Sequence, residues 1–273
     1  MNVVTPALYQ VAPYQVEAFN SSKASENKIH DDAVARQFGF SGGLVPGVDI
    51  YGYMTHQPVA RWGRAWLERG IGTCRLLKPV YDGELAAVLA KEIADGVAIE
   101  VTSRDTLCAT GTAALPATAN PVPALDSYAV PPPVPIDRPP ADEASLAVGT
   151  LLGMEPLPVT PEFAADYLRD VRETDPVYAR DGLVHPATIL RVGNWALRHN
   201  VVLGPWIHVG STVRHFAAAH VGQTITVRGR VVANYDHKGH RFVELDLLVL
   251  ADDTIAVAHI AHTAIYRPRQ VAA

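Results

Sequence analysis

The chain is poor in cysteine, and the little it has forms no pattern. Cys74 and Cys108 are the only two among 273 residues. That excludes a disulfide framework and a cysteine-ligated zinc site. Both lie in strand-like runs and read as reduced thiols that pack as small hydrophobes. The 11 histidines show no metal-ligand spacing, so no metal is expected. Strong charge of one sign is also missing. A net charge of −5 gives nucleic acid no bulk attraction. No apolar run approaches the roughly 18 residues of a membrane span. Residues 1–13 have neither the basic start nor the long apolar core of a signal peptide. With 48% hydrophobic and 19% charged residues, the composition is that of a globular chain. A cytoplasmic protein with no nucleic-acid or membrane partner is expected.

Proline is plentiful and unevenly placed. Pro116, Pro121, Pro123, Pro131, Pro132, Pro133, Pro135, Pro139 and Pro140 crowd one segment. Prolines this dense fit neither a helix nor a central strand. The segment reads as an extended surface linker. It divides the chain into a first half (1–115), a linker (116–145) and a second half (146–273).

The two halves repeat each other. Gly43-Leu44-Val45 returns 139 positions later as Gly182-Leu183-Val184. Thr73 and Arg75 return as Thr212 and Arg214, and Gly83 as Gly222, at the same spacing. A constant offset signals two copies of one fold. Each copy has a loop, one apolar helix and a run of strands. The helices are expected at 47–62 and 186–200, with Pro186 in a first turn. Apolar residues cover most of both helices, which predicts burial. Strands are expected at 73–80, 84–93, 97–103 and 106–115 in the first copy. In the second, 224–232 alternates Ile225, Val227 and Val231 against Thr224, Thr226, Arg228 and Arg230. A turn at 236–239 leads to an alternating strand through Val243–Val249, and another turn leads to 255–266. Thr160 and Pro161 read as the cap and first turn of a further helix.

One loop carries the chemistry. Ser25-Glu26-Asn27-Lys28-Ile29-His30 is followed by Phe38-Gly39-Phe40-Ser41-Gly42-Gly43-Leu44-Val45-Pro46-Gly47 and the first apolar helix. A histidine can move a proton at neutral pH. A helix start offers unpaired N–H groups to a developing negative oxygen. This pattern resembles the MaoC-like (R)-specific enoyl-CoA hydratases and dehydratases in their two-half form. Their loop reads Asp-x-Asn-Pro-Leu-His before a Gly-rich turn. Asn27, Ile29 and His30 match or nearly match it, Lys28 replaces the proline, and Ser25 stands where the family has its catalytic aspartate. The second half has Glu173-Thr174-Asp175-Pro176-Val177-Tyr178, with Tyr178 in place of the histidine and a much shorter run to its Gly-Leu-Val.

The resemblance implies an α+β double hot-dog fold, in which two antiparallel sheets join into one and each wraps a central helix. It implies reversible addition of water to a trans-2-enoyl thioester. His30 would be the acid/base group. Glu26 is the neighbouring carboxylate, and Asn27 would orient the histidine or the water. N–H groups of the turn and helix start at Gly43, Gly47 and Val48 would polarise the thioester carbonyl. Asp49, in the first helical turn, keeps thioester hydrolysis open as an alternative, since hot-dog thioesterases place an acidic residue on this helix. Ser25 keeps a third alternative open, a catalytically silent acyl-binding or partner protein. Each residue also has a plain structural reading: a loop-bracing histidine, turn glycines, solvated carboxylates. His185 and Tyr178 are candidates for lining a shared pocket. Arg61, Arg64, Arg75, Lys78 and Arg214 are candidate cations for coenzyme A phosphates. Coenzyme A or an acyl carrier enters as part of the substrate, with no other cofactor, and a homodimer is a further expectation.

Overall fold

In a computed structural model, residues 13–269 are described. All but the last residue of the N-terminal stretch read for a targeting signal lies outside them. The strands are β1 (Tyr14–Glu17), β2 (Ile71–Leu76), β3 (Leu85–Ile93), β4 (Gly96–Ser103), β5 (Thr106–Ala114), β6 (Leu151–Leu152), β7 (Leu157–Pro158), β8 (Ile207–His215), β9 (Thr224–His237), β10 (His240–Ala251) and β11 (Ile255–Arg267). The helices are α1 (Asp32–Gln37), α2 (Gly47–Trp62), α3 (Arg64–Arg69), α4 (Pro161–Asp170), α5 (Val177–Asp181) and α6 (Pro186–Arg198). No described helix is long and apolar enough to cross a membrane.

The strands form a single antiparallel sheet in the order β1-β3-β4-β5-β2-β8-β11-β10-β9-β6, with β7 also on β9. The 139-residue offset is visible in the backbone. Val45 N–H donates to Val80 O, and Val184 N–H donates to Ala219 O. The isolated bridges Leu44–Tyr81 and Leu183–His220 correspond in the same way. The two copies meet at β2 and β8, which pair Ile71 with Arg214, Thr73 with Thr212 and Arg75 with Gly210. Shifting each residue by the repeat offset exchanges the outer two pairs and leaves the Thr73–Thr212 pair in place. That is the self-complementary pattern of a two-fold interface, here inside one chain.

α2 lies in the first half of the sheet with Val48, Ile50, Tyr51, Tyr53, Met54 and Val59 all buried. Burying each such side chain contributes about 1.5–3 kcal/mol. α6 repeats this with Ile189, Leu190, Val192 and Leu197. It stops at Arg198, short of the expected 200. Asn200 instead turns the chain, its Nδ2 donating to Ala196 O and Gly153 O. β9 runs on to His237, past the expected 232. Lys238 and Gly239 both take positive φ (54° and 79°), which suits a two-residue hairpin whose twist lets the flanking strands pair to their ends.

The proline-rich segment covers the outer face of the second half of the sheet. Leu125 and Tyr128 pack on buried Leu248 and Leu250. The outward arginines of β9 hold it there: Arg228 donates to Leu125 O and Tyr128 O, and Arg230 lies over the Tyr128 ring. Tyr128 Oη donates to Asp246. Arg138 then reaches back to Glu26 and to the carbonyl of Arg198. Tyr128→Ala is therefore expected to lower unfolding free energy by about 1–3 kcal/mol, read from urea denaturation. A loss below about 0.5 kcal/mol would mean the segment is only a tether.

Candidate active site

His30 is fixed by backbone on three sides. Asn27 caps the short 3-10 turn Lys28–His30, its Oδ1 accepting from the Ile29 N–H. Asn20 Nδ2 donates to the His30 carbonyl. His30 Nδ1 lies 2.6 Å from the Leu44 carbonyl oxygen. A carbonyl only accepts, so Nδ1 carries the proton and Nε2 carries the lone pair. Asn27 Nδ2 donates a long hydrogen bond to Nε2 at 3.4 Å. Burial pulls the imidazole pKa below its ordinary value, and Arg191 adds to this. The Leu44 carbonyl and the Asp49 carboxylate oppose it without reversing it. His30 is thus a neutral base at pH 7, its one lone pair engaged only by the long contact from Asn27.

His30 sits where two chambers meet. Asn27, His30, Pro46, Asn194 and Trp206 line both. One chamber, about 240 Å³, is walled mainly by apolar side chains such as Phe40, Leu44, Ile50, Leu76 and Ile265, with Lys78 as its one charged residue. The other, about 350 Å³, carries Ser21, Ser25, Glu26, Arg191, Arg198 and Trp195. Asn27 ties the halves together here. Its Oδ1 accepts from the Trp206 N–H, and its Nδ2 donates to the Trp206 carbonyl.

The start of α2 opens onto the same junction. Its N-cap is Pro46, with no side-chain cap. Asp49 and Ile50 N–H both return to Pro46 O, which leaves those of Gly47 and Val48 without helical partners. Gly47 lines the apolar chamber and Val48 the polar one. A Cβ on Gly47 would overlap the end of the Leu76 side chain and press on His208, so glycine lets the helix begin this close to the wall without moving either. The equivalent start in the second half is closed. Pro186 has no N–H, and the Ala187 N–H is taken by His185 Nδ1.

Several expected site residues lie elsewhere. The Gly43 N–H is not an oxyanion donor, because Asp32 Oδ1 accepts it at 2.8 Å. The role of Gly43 is steric, since a Cβ there would strike the His30 carbonyl. Asp49 lines neither chamber. It is buried, and its oxygens accept from Tyr167 Oη, Arg191 and Ser21 Oγ, so it has no position for activating a substrate water. Glu26 lines the polar chamber but pairs with Arg138. Ser25 Oγ turns back to the Asn27 carbonyl.

His185 and Tyr178 face each other in a separate buried cluster. There Glu173 accepts from His56 and lies 3.8 Å from His185 Nε2. Burial alone would raise the Glu173 pKa, but the neighbouring His185 ring and the hydrogen bond from His56 carry it well below the carboxylate range. Arg75 is on the seam strand, facing another surface depression, and Arg214 donates to Asn120. Arg61 pairs with Glu92 and Arg64 with Glu68. Of the five proposed cations only Lys78 reaches a chamber.

The structure adds Arg191, Asn194, Arg198, Trp206 and His208, all from the second half. Arg191, Asn194 and Arg198 lie at i, i+3 and i+7 on a helix otherwise apolar. That polar stripe on a buried helix was a usable signal. Trp206 and His208 carried none.

No protein-family model matches the sequence, and no curated protein matches it significantly. Solved structures match in fold. A conserved Mycobacterium tuberculosis protein described as having a double hotdog fold aligns at TM-score 0.64 and 17% identity, with 95% of each chain covered. A protein described as a MaoC-domain dehydratase from Chloroflexus aurantiacus gives 0.62 and 13%, over 96% of this chain and 95% of that one. One described as a thioesterase from Novosphingobium aromaticivorans gives 0.55 and 12%, over 96% and 99%. Identities this low carry the fold alone: the chain is a double hot-dog. Since both descriptions occur on it, the choice of chemistry rests on the site.

Two predictions follow from these contacts. Arg191→Met leaves buried Asp49 without its cation and should cost about 3–5 kcal/mol, whereas Asp49→Leu with Arg191→Met should recover most of that. Urea denaturation of the two singles and the double checks it, and additive losses would contradict it. Burial also lowers the pKa of His30, takes those of His208 and His215 down to about 4, and puts that of His262 well below its usual value. The unfolded chain therefore binds protons at these sites that the native state refuses. Stability is full above about pH 6.5 and falls as pH drops through 4. Denaturation midpoints flat between pH 7 and 4.5 would contradict this.

Proposed function

We propose that the protein is an acyl-thioester hydratase/dehydratase that adds water reversibly to a trans-2-enoyl thioester at the junction of the two chambers. The observation that carries this reading is His30. Its Nδ1–H is bound to Leu44 O, its Nε2 lone pair meets only a long hydrogen bond from Asn27, and the residue lines the junction beside the uncapped start of α2. The thioester carbonyl would take the Gly47 and Val48 N–H groups, which stabilise an enolate more than a ground-state carbonyl. His30 Nε2 would take a proton from water as its oxygen bonds to C3, then deliver it to C2. One base thus handles both proton transfers. Asn194 Oδ1 is buried at the junction without a hydrogen-bond partner, and it would accept the water's second hydrogen. In this reading it does part of the work of the aspartate that Ser25 replaces. The apolar chamber suits an acyl chain, and coenzyme A or an acyl carrier would bear it. Hydrolysis through Asp49 is disfavoured by that residue's full set of partners.

The test is a panel of trans-2-enoyl-CoA esters, followed by enoyl absorbance and by free thiol. Absorbance should fall without thiol release. His30→Ala should lower kcat by at least about 10²–10⁴, and Asn194→Ala by less. Thiol release that survives His30→Ala would reject the reading.

A further inference from the structure

His208 lies outside the mechanism above, yet its ring forms part of the apolar chamber's wall at the point where α2 begins. It is buried, and its Nδ1 has no hydrogen-bond partner. An ideal Cβ on Gly47 would lie 3.0 Å from this same Nδ1. The unpartnered nitrogen and the unpaired Gly47 N–H are therefore neighbours on one wall. The other ring nitrogen is tied down. His208 Nε2 lies 2.8 Å from Ser211 Oγ, which lies 2.9 Å from His262 Nδ1. The two imidazoles stack with centroids 4.5 Å apart. Both are neutral at pH 7, because burial outweighs the favourable Gly210 backbone at His208, and because burial and the neighbouring His208 both act on His262.

A serine hydroxyl has one hydrogen and two lone pairs, so this chain has three arrangements. If Ser211 donates to His262, His208 gives its Nε2–H to Ser211 and shows the chamber a lone pair. His262 is then left with a buried, unpartnered Nε2–H, since that nitrogen has no partner either. If Ser211 donates to His208 Nε2, His262 gives Nδ1–H to Ser211 and keeps only a lone pair on Nε2. His208 then carries its proton on Nδ1, toward the chamber. In the third, both rings donate to Ser211 Oγ and the serine hydrogen reaches neither ring. Each arrangement thus leaves one hydrogen without an acceptor in the chain: His262 Nε2–H, His208 Nδ1–H or Ser211 O–H. Only the second sets that hydrogen at the chamber wall, where a bound acceptor satisfies it, so an occupied chamber selects the second.

We infer that His208 is a second donor to the thioester carbonyl, presenting Nδ1–H beside the Gly47 N–H, with Ser211 and His262 holding it in the donating tautomer. The inference rests on the proposed acyl-thioester site but not on the reaction performed there. It also accounts for the glycine at 47: a side chain would separate the two donors.

Three measurements test it. In protein labelled with ¹⁵N-histidine and saturated with butyryl-CoA, His208 and His262 should both be protonated at Nδ1, and an Nε2–H on His208 overturns the proposal. With carbonyl-labelled butyryl-CoA bound, the thioester carbonyl stretch should lie at lower frequency in wild type, His30→Ala and His208→Asn than in His208→Phe. Asparagine is included because its amide N–H stands near the Nδ1 position. In turnover of crotonyl-CoA, His208→Phe should lose about 10²-fold in kcat with little change in KM, and His208→Asn should recover most of it. An unchanged carbonyl band and kcat in His208→Phe overturns the donor role and leaves the hydratase reading standing. A wild type that shifts the carbonyl through His208 yet hydrates nothing rejects the hydratase reading and keeps the donor.

Discussion

The pairing of β2 with β8 is the constraint on which the rest depends. Five residue pairs across this seam turn two sheets into one and set the angle between two central helices. The candidate site exists only across it. His30 and the start of α2 come from the first copy, and Asn194, Trp206 and His208 from the second. Seam and site are mechanically linked, because the Asn27–Trp206 hydrogen bonds hold the His30 loop against the chain leading into β8. The buried Asp49–Arg191 pair does the same between α2 and α6. Buried ion pairs contribute little net stability over apolar packing and are better at fixing one arrangement. This one fixes how the helices face each other, and with it the shape of the polar chamber.

Duplication has allowed the two copies to diverge at matched points. The two-fold operation that maps β2 onto β8 also maps the start of α2 onto the start of α6. At the first, two N–H groups are left open beside a histidine lone pair. At the second, Pro186 removes one N–H, and His185 occupies the next. The second copy's loop carboxylate, Glu173, is held by His56 from the first copy, so this position is part of the packing between copies. An uncapped helix end near a buried wall is a stability cost. The molecule carries it on one side and has removed it on the other, which argues that the open end is kept for a ligand.

The fold was legible because its signals are local. Proline density, strand alternation and turn residues act over a few positions, and the 139-residue offset reports turns that both copies need. Thr73 and Thr212 were visible as a repeat because they face each other at the axis. Arg75 and Arg214 recur because they flank the same axis, and they lie on the seam outside both chambers. The loop histidine was legible, since its polar run and Gly-rich turn are contiguous in sequence. Its partners were not. Trp206 and His208 approach from nearly 180 residues away, and no local pattern marks a tryptophan backbone or a strand histidine as part of a site. Asp49 looked available at a helix start, but only packing against Tyr167 and Arg191 reveals that its oxygens are used.

Ser25 poses the sharpest chemical question, and the geometry bears on it. A second carboxylate is needed if one group must deprotonate water while another protonates C2. Addition to a single face of the double bond lifts that requirement, because the proton leaving water and the proton arriving at C2 can pass through one nitrogen. Such a base must be neutral before the step, mobile in charge and fixed in direction. His30 meets these conditions through burial and through its bond to Leu44 O. What one base cannot supply is a hold on the nucleophilic water, and that task needs only an acceptor, not a charge. An amide oxygen such as that of Asn194 is enough. Under the proposed hydration, a serine at position 25 therefore leaves the site without a second charge but not without a step, and the electrostatic demand falls on the carbonyl end, where the α2 start and His208 lie side by side.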